Sequence, residues 1–433
     1  MAFSRAYADA SRAALDHALR DIPAYAPWRA CDPGGDADID RRYRAMPMLT
    51  KADLRQASPR SFAPRTHDLQ AGIASGAVEL VHTSGTTDER VTNVWHQPWW
   101  DASERASWQL NAHTARLSLG AHREALLTSA RSVGVLDDTR DLAMAERRDG
   151  RFLFLNEKSA PTLWTPALCR RMLDELAEFQ PLVLEANPSY LARLARFAAA
   201  HQVHVWQPPL IILTFELPTH AARAAIRRVF SAPLISSYGT TETGYVFMQC
   251  EHGCFHHNTA FCRVDFLPCS SAHGGPLLGR MLVTPFHNPW CQYVRFDVGD
   301  LIRLRPDGHC PCGRTHGFIA AAIEGRIKNL TTTTAGRAVT EARLDAAMAG
   351  CPGVFDYQLQ QSAPGMYAIA IVAEADAPAD VRGPVERALR DVYGAGAQVS
   401  VTLVDELAPS ASGKFRRAAA AHAFAAEELF IDL

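Results

Sequence analysis

Lysine is scarce in this chain. Only Lys51, Lys158, Lys328 and Lys414 occur among 433 residues, although lysine and arginine together number 44. A lysine kept where arginine is the rule suggests a chemical reason. Lysine offers a compact charge on a flexible stem, arginine a broad planar fork. Long apolar runs are also missing: none approaches the roughly 20 residues that span a bilayer. The formal net charge is −2, which gives no electrostatic basis for binding nucleic acid or an anionic membrane. The opening Met-Ala-Phe-Ser-Arg-Ala-Tyr holds no apolar signal core, so the cytoplasm is the expected compartment. Ten cysteines in so long a chain argue against a disulfide scaffold. They point to reduced thiols, some of them metal ligands. Repeats and low-complexity tracts are absent as well.

What is present predicts an α/β protein of two or more domains, because 433 residues exceed the size of one hydrophobic core. Residues 1–20 carry apolar positions at helical spacing (Ala6, Ala10, Ala14, Leu15, Leu19). Apolar runs at 125–128, 182–184 and 210–213 have the character of buried parallel strands. They alternate with helical stretches at 166–179, 188–200 and 219–229, the pattern of a layered α/β fold. The last hundred residues form a separate, smaller α/β unit. Strands are predicted at 354–360, 366–373 and 398–404, with an amphipathic helix at 378–393. A polar junction at 331–336 follows Lys328.

Two loops carry chemistry. Lys414 stands in Ala-Pro-Ser-Ala-Ser-Gly-Lys-Phe-Arg-Arg (408–417), where Gly413 permits a tight bend. Far upstream, an apolar run ending at His82 leads into Thr83, Ser84, Gly85, Thr86 and Thr87. Such a loop can offer backbone amides and hydroxyls to phosphate oxygens. It lacks the glycine spacing and the lysine of a P-loop. Taken alone, either could be an ordinary surface feature. The order along the chain decides: after 83–87 come Ser-Tyr-Gly-Thr-Thr-Glu (237–242), Val-Arg-Phe-Asp-Val-Gly-Asp (294–300), Glu-Gly-Arg-Ile-Lys (324–328) and Ser-Gly-Lys (412–414).

This series resembles the adenylate-forming superfamily of acyl-coenzyme A synthetases, adenylation domains and luciferases. Leu-Thr-Lys-Ala-Asp-Leu-Arg (49–55), Asn-Pro-Ser-Tyr-Leu (187–191) and Cys-Pro-Cys-Gly-Arg-Thr-His (310–316) resemble the phenylacetate–coenzyme A ligase branch. The resemblance covers about residues 20 to 420. It implies a large layered α/β N-terminal domain, residues 1–327, and a small mobile α/β C-terminal domain, residues 328–433. The implied reaction is attack of a carboxylate on the α-phosphorus of ATP, then transfer of the acyl group to coenzyme A. Thr83 to Thr87 would wrap the β- and γ-phosphates, Glu242 would hold Mg²⁺, and Thr241 would contact the α-phosphate. Tyr238 would lie against the adenine, with Glu216, Ser237, Gly239 and Thr240 on the nucleotide side. Asp300 would accept from the ribose hydroxyls, Arg326 would assist, Lys414 would bridge the reacting carboxylate and the nucleotide, and Lys328 would be the hinge.

Plainer roles exist for several of these: a helix-capping Glu242, a turn Asp300, a core Tyr238, an Arg326 paired with Glu324. The phosphate loop departs from the family by continuing Asp88-Glu89-Arg90, two carboxylates where a triphosphate would sit.

Cys250-Glu-His-Gly-Cys-Phe-His-His (250–257) and Cys310-Pro-Cys312 form a second constellation, rich in ligands suited to a tetrahedral Zn²⁺. The resemblance to the branch implies a closed structural site of Cys250, His256, Cys310 and Cys312. His252, Cys254 and His257 compete for places in the first cluster. The branch favours an aromatic acid, in a pocket bounded by segments near 130–140, 214–216 and 236–245. Phe215 stands where the branch has alanine. Trp95, Trp99 and Trp100 could line that pocket or pack the core. Coenzyme A is the expected acceptor. A carrier protein or an amine is the alternative, and a catalytically inert ligand-binding homologue a second one. No nucleic-acid or membrane partner is expected, and homodimer formation is left open.

Overall fold

Capping chemistry sets where the helices begin. Ser4 accepts the Tyr7 amide at the head of α1 (Arg5–Asp21). Helix α2 (Gln97–Trp108) has proline in its first turn. Thr165 and Asn187 cap α3 (Pro166–Phe179) and α4 (Pro188–Ala200), and both helices open on a proline whose missing amide would have had no partner. Thr219 caps α5 (His220–Arg227). The computed structural model describes residues 3–57, 59–82, 91–117, 122–421 and 426–431. Among them, no helix is long and apolar enough to cross a membrane.

A twelve-stranded sheet organises the first three quarters of the chain. Its strands are β1 (Glu124–Leu127), β2 (Arg148–Asp149), β3 (Phe152–Phe154), β4 (Val183–Ala186), β5 (Leu210–Leu213) and β6 (Leu234–Thr240). Then follow β7 (Gly244–Gln249), β8 (Phe255–His257), β9 (Cys262–Pro268), β10 (Leu278–Pro285), β11 (Phe296–Leu304) and β12 (Ile319–Arg326). The spatial order is β9-β10-β11-β12-β8-β7-β6-β5-β4-β1-β3-β2. Strands β3, β1, β4, β5 and β6 pair in parallel, and the rest antiparallel. All four residues of β4 and of β5 are buried. Strand β5 is an unbroken apolar run, as a strand covered on both faces requires, whereas β4 also buries Glu185. Helices α3, α4 and α5 pack over the parallel part, with Leu173, Leu176, Leu191, Leu194 and Ile226 in one core.

The C-terminal unit is a four-stranded sheet of β13 (Val354–Ala363), β14 (Met366–Ala373), β15 (Gln398–Leu403) and β16 (Ala418–Ala420), in the order β15-β14-β13-β16. Helices α6 (Glu341–Met348) and α7 (Arg382–Tyr393) cover a hydrophobic cluster of its own around Leu344, Ile369, Val385 and Leu389. Helix α7 starts at 382 rather than the expected 378, because the Asp380 carboxylate accepts the Gly383 amide and holds the preceding turn out of the helix. A second set of its apolar residues, Phe355, Val372, Leu407 and Phe415, belongs to the core over α3 to α5. That shared core presses the unit onto the end of the parallel strands.

Candidate active site

The motifs at 237–242, 294–300, 324–328 and 412–414 are gathered at one place. Tyr238 lies near the end of β6, and its hydroxyl donates to Asp300 at 2.8 Å. Asp300 sits opposite Arg326 in the register of β11 and β12, and its Oδ1 lies 3.6 Å from the Arg326 Nε. That carboxylate holds the Arg326 guanidinium above its ordinary range, and burial together with Asp300 pushes the Tyr238 phenol well up. Glu324 is engaged elsewhere, by Arg303 and Thr340, so the plainer Arg326–Glu324 pairing is not formed.

Between β6 and β7 the chain turns through Thr241 and Glu242. Gly239 is dictated by close approach: a Cβ there would lie 2.5 Å from the Gly244 carbonyl oxygen. The Thr243 amide donates to the Thr240 carbonyl at 3.1 Å, and the two threonine hydroxyls are 3.0 Å apart. Glu242 is buried, and its Oε1 has no hydrogen-bond partner among the described residues. The same is true of the Ser237 hydroxyl. A buried carboxylate oxygen left without a donor suits a hard cation. Thr83 to Thr87, with Asp88, Glu89 and Arg90, lie outside the described residues.

Lys414 comes to this site from the C-terminal unit. It is half-buried and lies within electrostatic reach of Arg326, Glu216, Asp300 and Lys51. Burial first, and then the Arg326 charge, push its ammonium down to about 8. Gly413 makes the approach possible. It has φ +77°, and an ideal Cβ would stand 2.3 Å from the Ser129 Oγ and 3.1 Å from the Tyr190 hydroxyl. The loop is tied across the seam: the Phe415 amide donates to Glu216 at 2.9 Å. Arg193 on α4 stacks over the Phe415 ring at 4.0 Å and donates to Asp356 at 3.1 Å. Arg417 binds Asp356 and the Ser189 hydroxyl. Lys328 lies in the Ile327–Asn329 turn between the two units, exposed, its carbonyl accepting from Arg416 at 3.1 Å.

The tryptophans divide. Trp99 is buried, with its indole donating to the Phe286 carbonyl at 2.7 Å, a core role. Trp95 and Trp100 pack ring to ring at 4.3 Å, and Trp100 lies 5.0 Å from Tyr245, just past the Glu242 turn.

A separate cluster unites β7, β8 and the 310–312 loop. One ligand atom each of Cys250, His256, Cys310 and Cys312 lies within 4.8 Å of all the others. The Cys250 and Cys310 sulfurs are 3.5 Å apart, and the Cys312 sulfur is 3.2 Å from the His256 Nε2. Tetrahedral bonds of about 2.3 Å from sulfur to zinc put neighbouring sulfurs about 3.8 Å apart, so the donor set fits that ion. The His252 amide donates to the Cys250 sulfur at 3.4 Å. Of the rival candidates, His257 is buried beside the Cys262 carbonyl at 3.0 Å, while Cys254 borders the cluster, packed with Cys250 and Cys310 and 3.6 Å from an Arg305 nitrogen.

Sequence reasoning did not find Ser129, Ser189, Arg193, Asp356 or Arg417. Each is an ordinary residue type whose importance comes from its contacts at the seam. Ser189 stands in the Asn-Pro-Ser-Tyr-Leu motif and Arg417 ends the 408–417 motif, the only signals that could have drawn attention to them.

No protein-family description matches the chain, and no curated protein does. Solved structures do. A 2-hydroxyisobutyryl-CoA ligase in its postadenylation state aligns with a TM-score of 0.72 at 16% identity, over 95% of this chain and 88% of its own. The same ligase with CoA in the thioesterification state aligns at 0.56 and 16%, over 96% and 89%. An amide bond synthetase from Marinactinospora thermotolerans aligns at 0.53 and 16%, over 84% and 70%. The chain has the α/β fold of these adenylate-forming enzymes.

Proposed function

We propose that this protein activates a carboxylic acid with ATP and transfers the acyl group to coenzyme A. The observation that carries the reading is Lys414, brought by the C-terminal unit within electrostatic reach of Asp300 and Arg326, where motifs distant in the chain meet. In the first half-reaction a carboxylate oxygen of the acid attacks the α-phosphorus of ATP, an acyl-adenylate forms, and pyrophosphate leaves. Lys414 places its charge between the attacking carboxylate and the nucleotide oxygens, where negative charge converges. Asp300 accepts from the ribose hydroxyls, as an acceptor-only carboxylate can, and Tyr238, Gly239 and Thr240 flank the base. Thr241 faces the α-phosphate, and Thr83 to Thr87 take the β- and γ-phosphates. Glu242, with its unpartnered oxygen, is the residue to hold Mg²⁺, which when bound neutralises phosphate charge. Cys250, His256, Cys310 and Cys312 would hold a structural Zn²⁺ that joins β7, β8 and the 310–312 loop.

In the second half-reaction the thiol attacks the acyl carbonyl, the thioester forms and AMP leaves. Residues 328–433 act as a mobile lid that turns about Lys328 so that Lys414 withdraws and the thiol enters. The Trp95–Trp100–Tyr245 stack beyond the Glu242 turn supports an aromatic acid, and the aligned CoA ligase supports coenzyme A as acceptor. The shared fold with an amide bond synthetase keeps an amine as a second reading. Incubation of the protein with ATP and a panel of aryl and alkyl acids, with and without coenzyme A, tests this by mass analysis of products. The expected result is an aryl thioester formed only with coenzyme A. Acyl-adenylate that accumulates with coenzyme A present and yields amides with added amines would move the assignment to the second reading.

A further inference from the structure

The motif series places Glu216 on the nucleotide side, but its carboxylate is occupied by protein. The Ser189 hydroxyl donates to its Oε1, and the Phe415 amide, from the other unit, donates to its Oε2 at 2.9 Å. The side chain is only 7% exposed. Its aim comes from a strained turn at the end of β5. The Glu216 amide closes back on the Thr214 carbonyl at 3.0 Å, with Phe215 between them at φ +74°. That backbone conformation is rare for a bulky residue and persists only where the surroundings impose it. Arg417 completes the arrangement by donating to the same Ser189 hydroxyl, 4.0 Å from the Glu216 Oε1.

We propose that Glu216 is a positioning residue for the Lys414 loop: its carboxylate, aimed by the Phe215 turn and braced by Ser189, receives the Phe415 amide and so registers Lys414 in the adenylation pose. The inference rests on the role proposed above for Lys414. The Phe415 amide is the next one along the backbone from Lys414, so a single hydrogen bond at that point fixes where the lysine side chain begins. Gly413 is seated on Ser129 and Tyr190 on the other side of Lys414, and the loop is thereby held at both flanks. Loss of the carboxylate leaves the Phe415 amide without its acceptor across the seam and frees the loop to lift.

Two measurements on the full-length protein test this, with variants whose circular dichroism matches the wild type. The first is limited trypsin cleavage after Lys414, which does not depend on activity. In Glu216→Ala, cleavage there is expected to rise about tenfold, because proteolysis follows the population of the open loop. Glu216→Gln keeps a carbonyl acceptor for the amide and should stay within about threefold of wild type under the same relation. Cleavage after Arg5, far out in solvent, serves as the control and should not change. The second is a double-mutant cycle on single-turnover adenylation. Glu216→Ala should slow the wild type but add nothing in the Lys414→Ala background, since both then remove the same interaction. Unchanged cleavage after Lys414 in Glu216→Ala would overturn the proposal, as would full additivity of the two substitutions, which is the signature of a direct nucleotide contact. If the wild type forms no adenylate at all, the functional reading fails, while the cleavage result still decides the role of Glu216.

Discussion

The Cys250–His256–Cys310–Cys312 cluster and the Lys414 loop are built on opposite plans. Both join segments far apart in sequence. In the first, four donors turn inward on one another within 4.8 Å, and nothing is left to face a substrate. In the second, charges face each other across a seam between two units and are tied by a handful of directional contacts. The contrast separates what holds the protein together from what it does. A closed donor set is suited to one permanent occupant, whereas a seam with breakable contacts can be opened and closed within a catalytic cycle. Substitutions in the two regions should therefore fail in different ways.

The largest effect is expected from Lys414→Ala. Adenylate formation should fall by about 10²- to 10³-fold, the range for loss of one group that stabilises transition-state charge. ATP affinity should stay within about threefold, as expected for an interaction made mainly in the transition state. Rapid-quench measurement of acyl-adenylate, with ATP binding by calorimetry, checks both. Next in size is Cys310→Ser/Cys312→Ser. Protein purified without chelator should hold about one zinc per chain by the four-ligand logic. The double variant should lose the metal and melt at least about 5 °C lower, because structural zinc contributes directly to folding. A metal-free wild type, or unchanged melting, would remove the distinction between the two regions.

Lys328→Pro sharpens the comparison at the junction. Proline restricts φ at 328 and the conformations of the preceding residue, so one pose should be disfavoured. Thioester formation from preformed adenylate should slow by about tenfold or more while adenylation stays within about threefold, a split that a two-pose lid predicts. Equal effects on both half-reactions, or none, would mean that the units do not turn at this residue. The smallest effect is a pH dependence. Burial and the Arg326 charge lower the Lys414 ammonium to about 8, below its usual range. The protonated form is the active one, so kcat/KM for ATP should be level below pH 8 and fall as pH rises through that value. This profile reports the free enzyme. In Lys414→Arg the lower rate should show no alkaline fall, since arginine stays charged.

Much of the fold was legible because its signals are local. The helical stretches expected at 166–179 and 188–200 are α3 and α4 to the residue, and the apolar runs at 182–184 and 210–213 fall on β4 and β5. The convergence of Tyr238, Asp300, Arg326 and Lys414 followed from motif order rather than from any single motif. The Arg326–Glu324 alternative fails for a register reason: Arg326 stands opposite Asp300, while Glu324 is taken up by Arg303 and by Thr340, the residue that caps α6. The seam was not legible. Arg193 has no periodicity or spacing that marks it, and the motifs holding Ser189 and Arg417 do not reveal their contacts. The bonds Arg193–Asp356 and Arg417–Ser189 join residues more than 160 positions apart. Phe215 was notable in the sequence only as a bulky residue in a place for alanine; its positive φ is a property of the folded turn.

The most direct test of the account is acid-dependent exchange of labelled pyrophosphate into ATP by the wild-type protein over a panel of aryl acids. The account predicts exchange that requires both an aryl acid and Mg²⁺ and that is absent when the acid is omitted. A protein that binds ATP yet exchanges no pyrophosphate with any acid would contradict it.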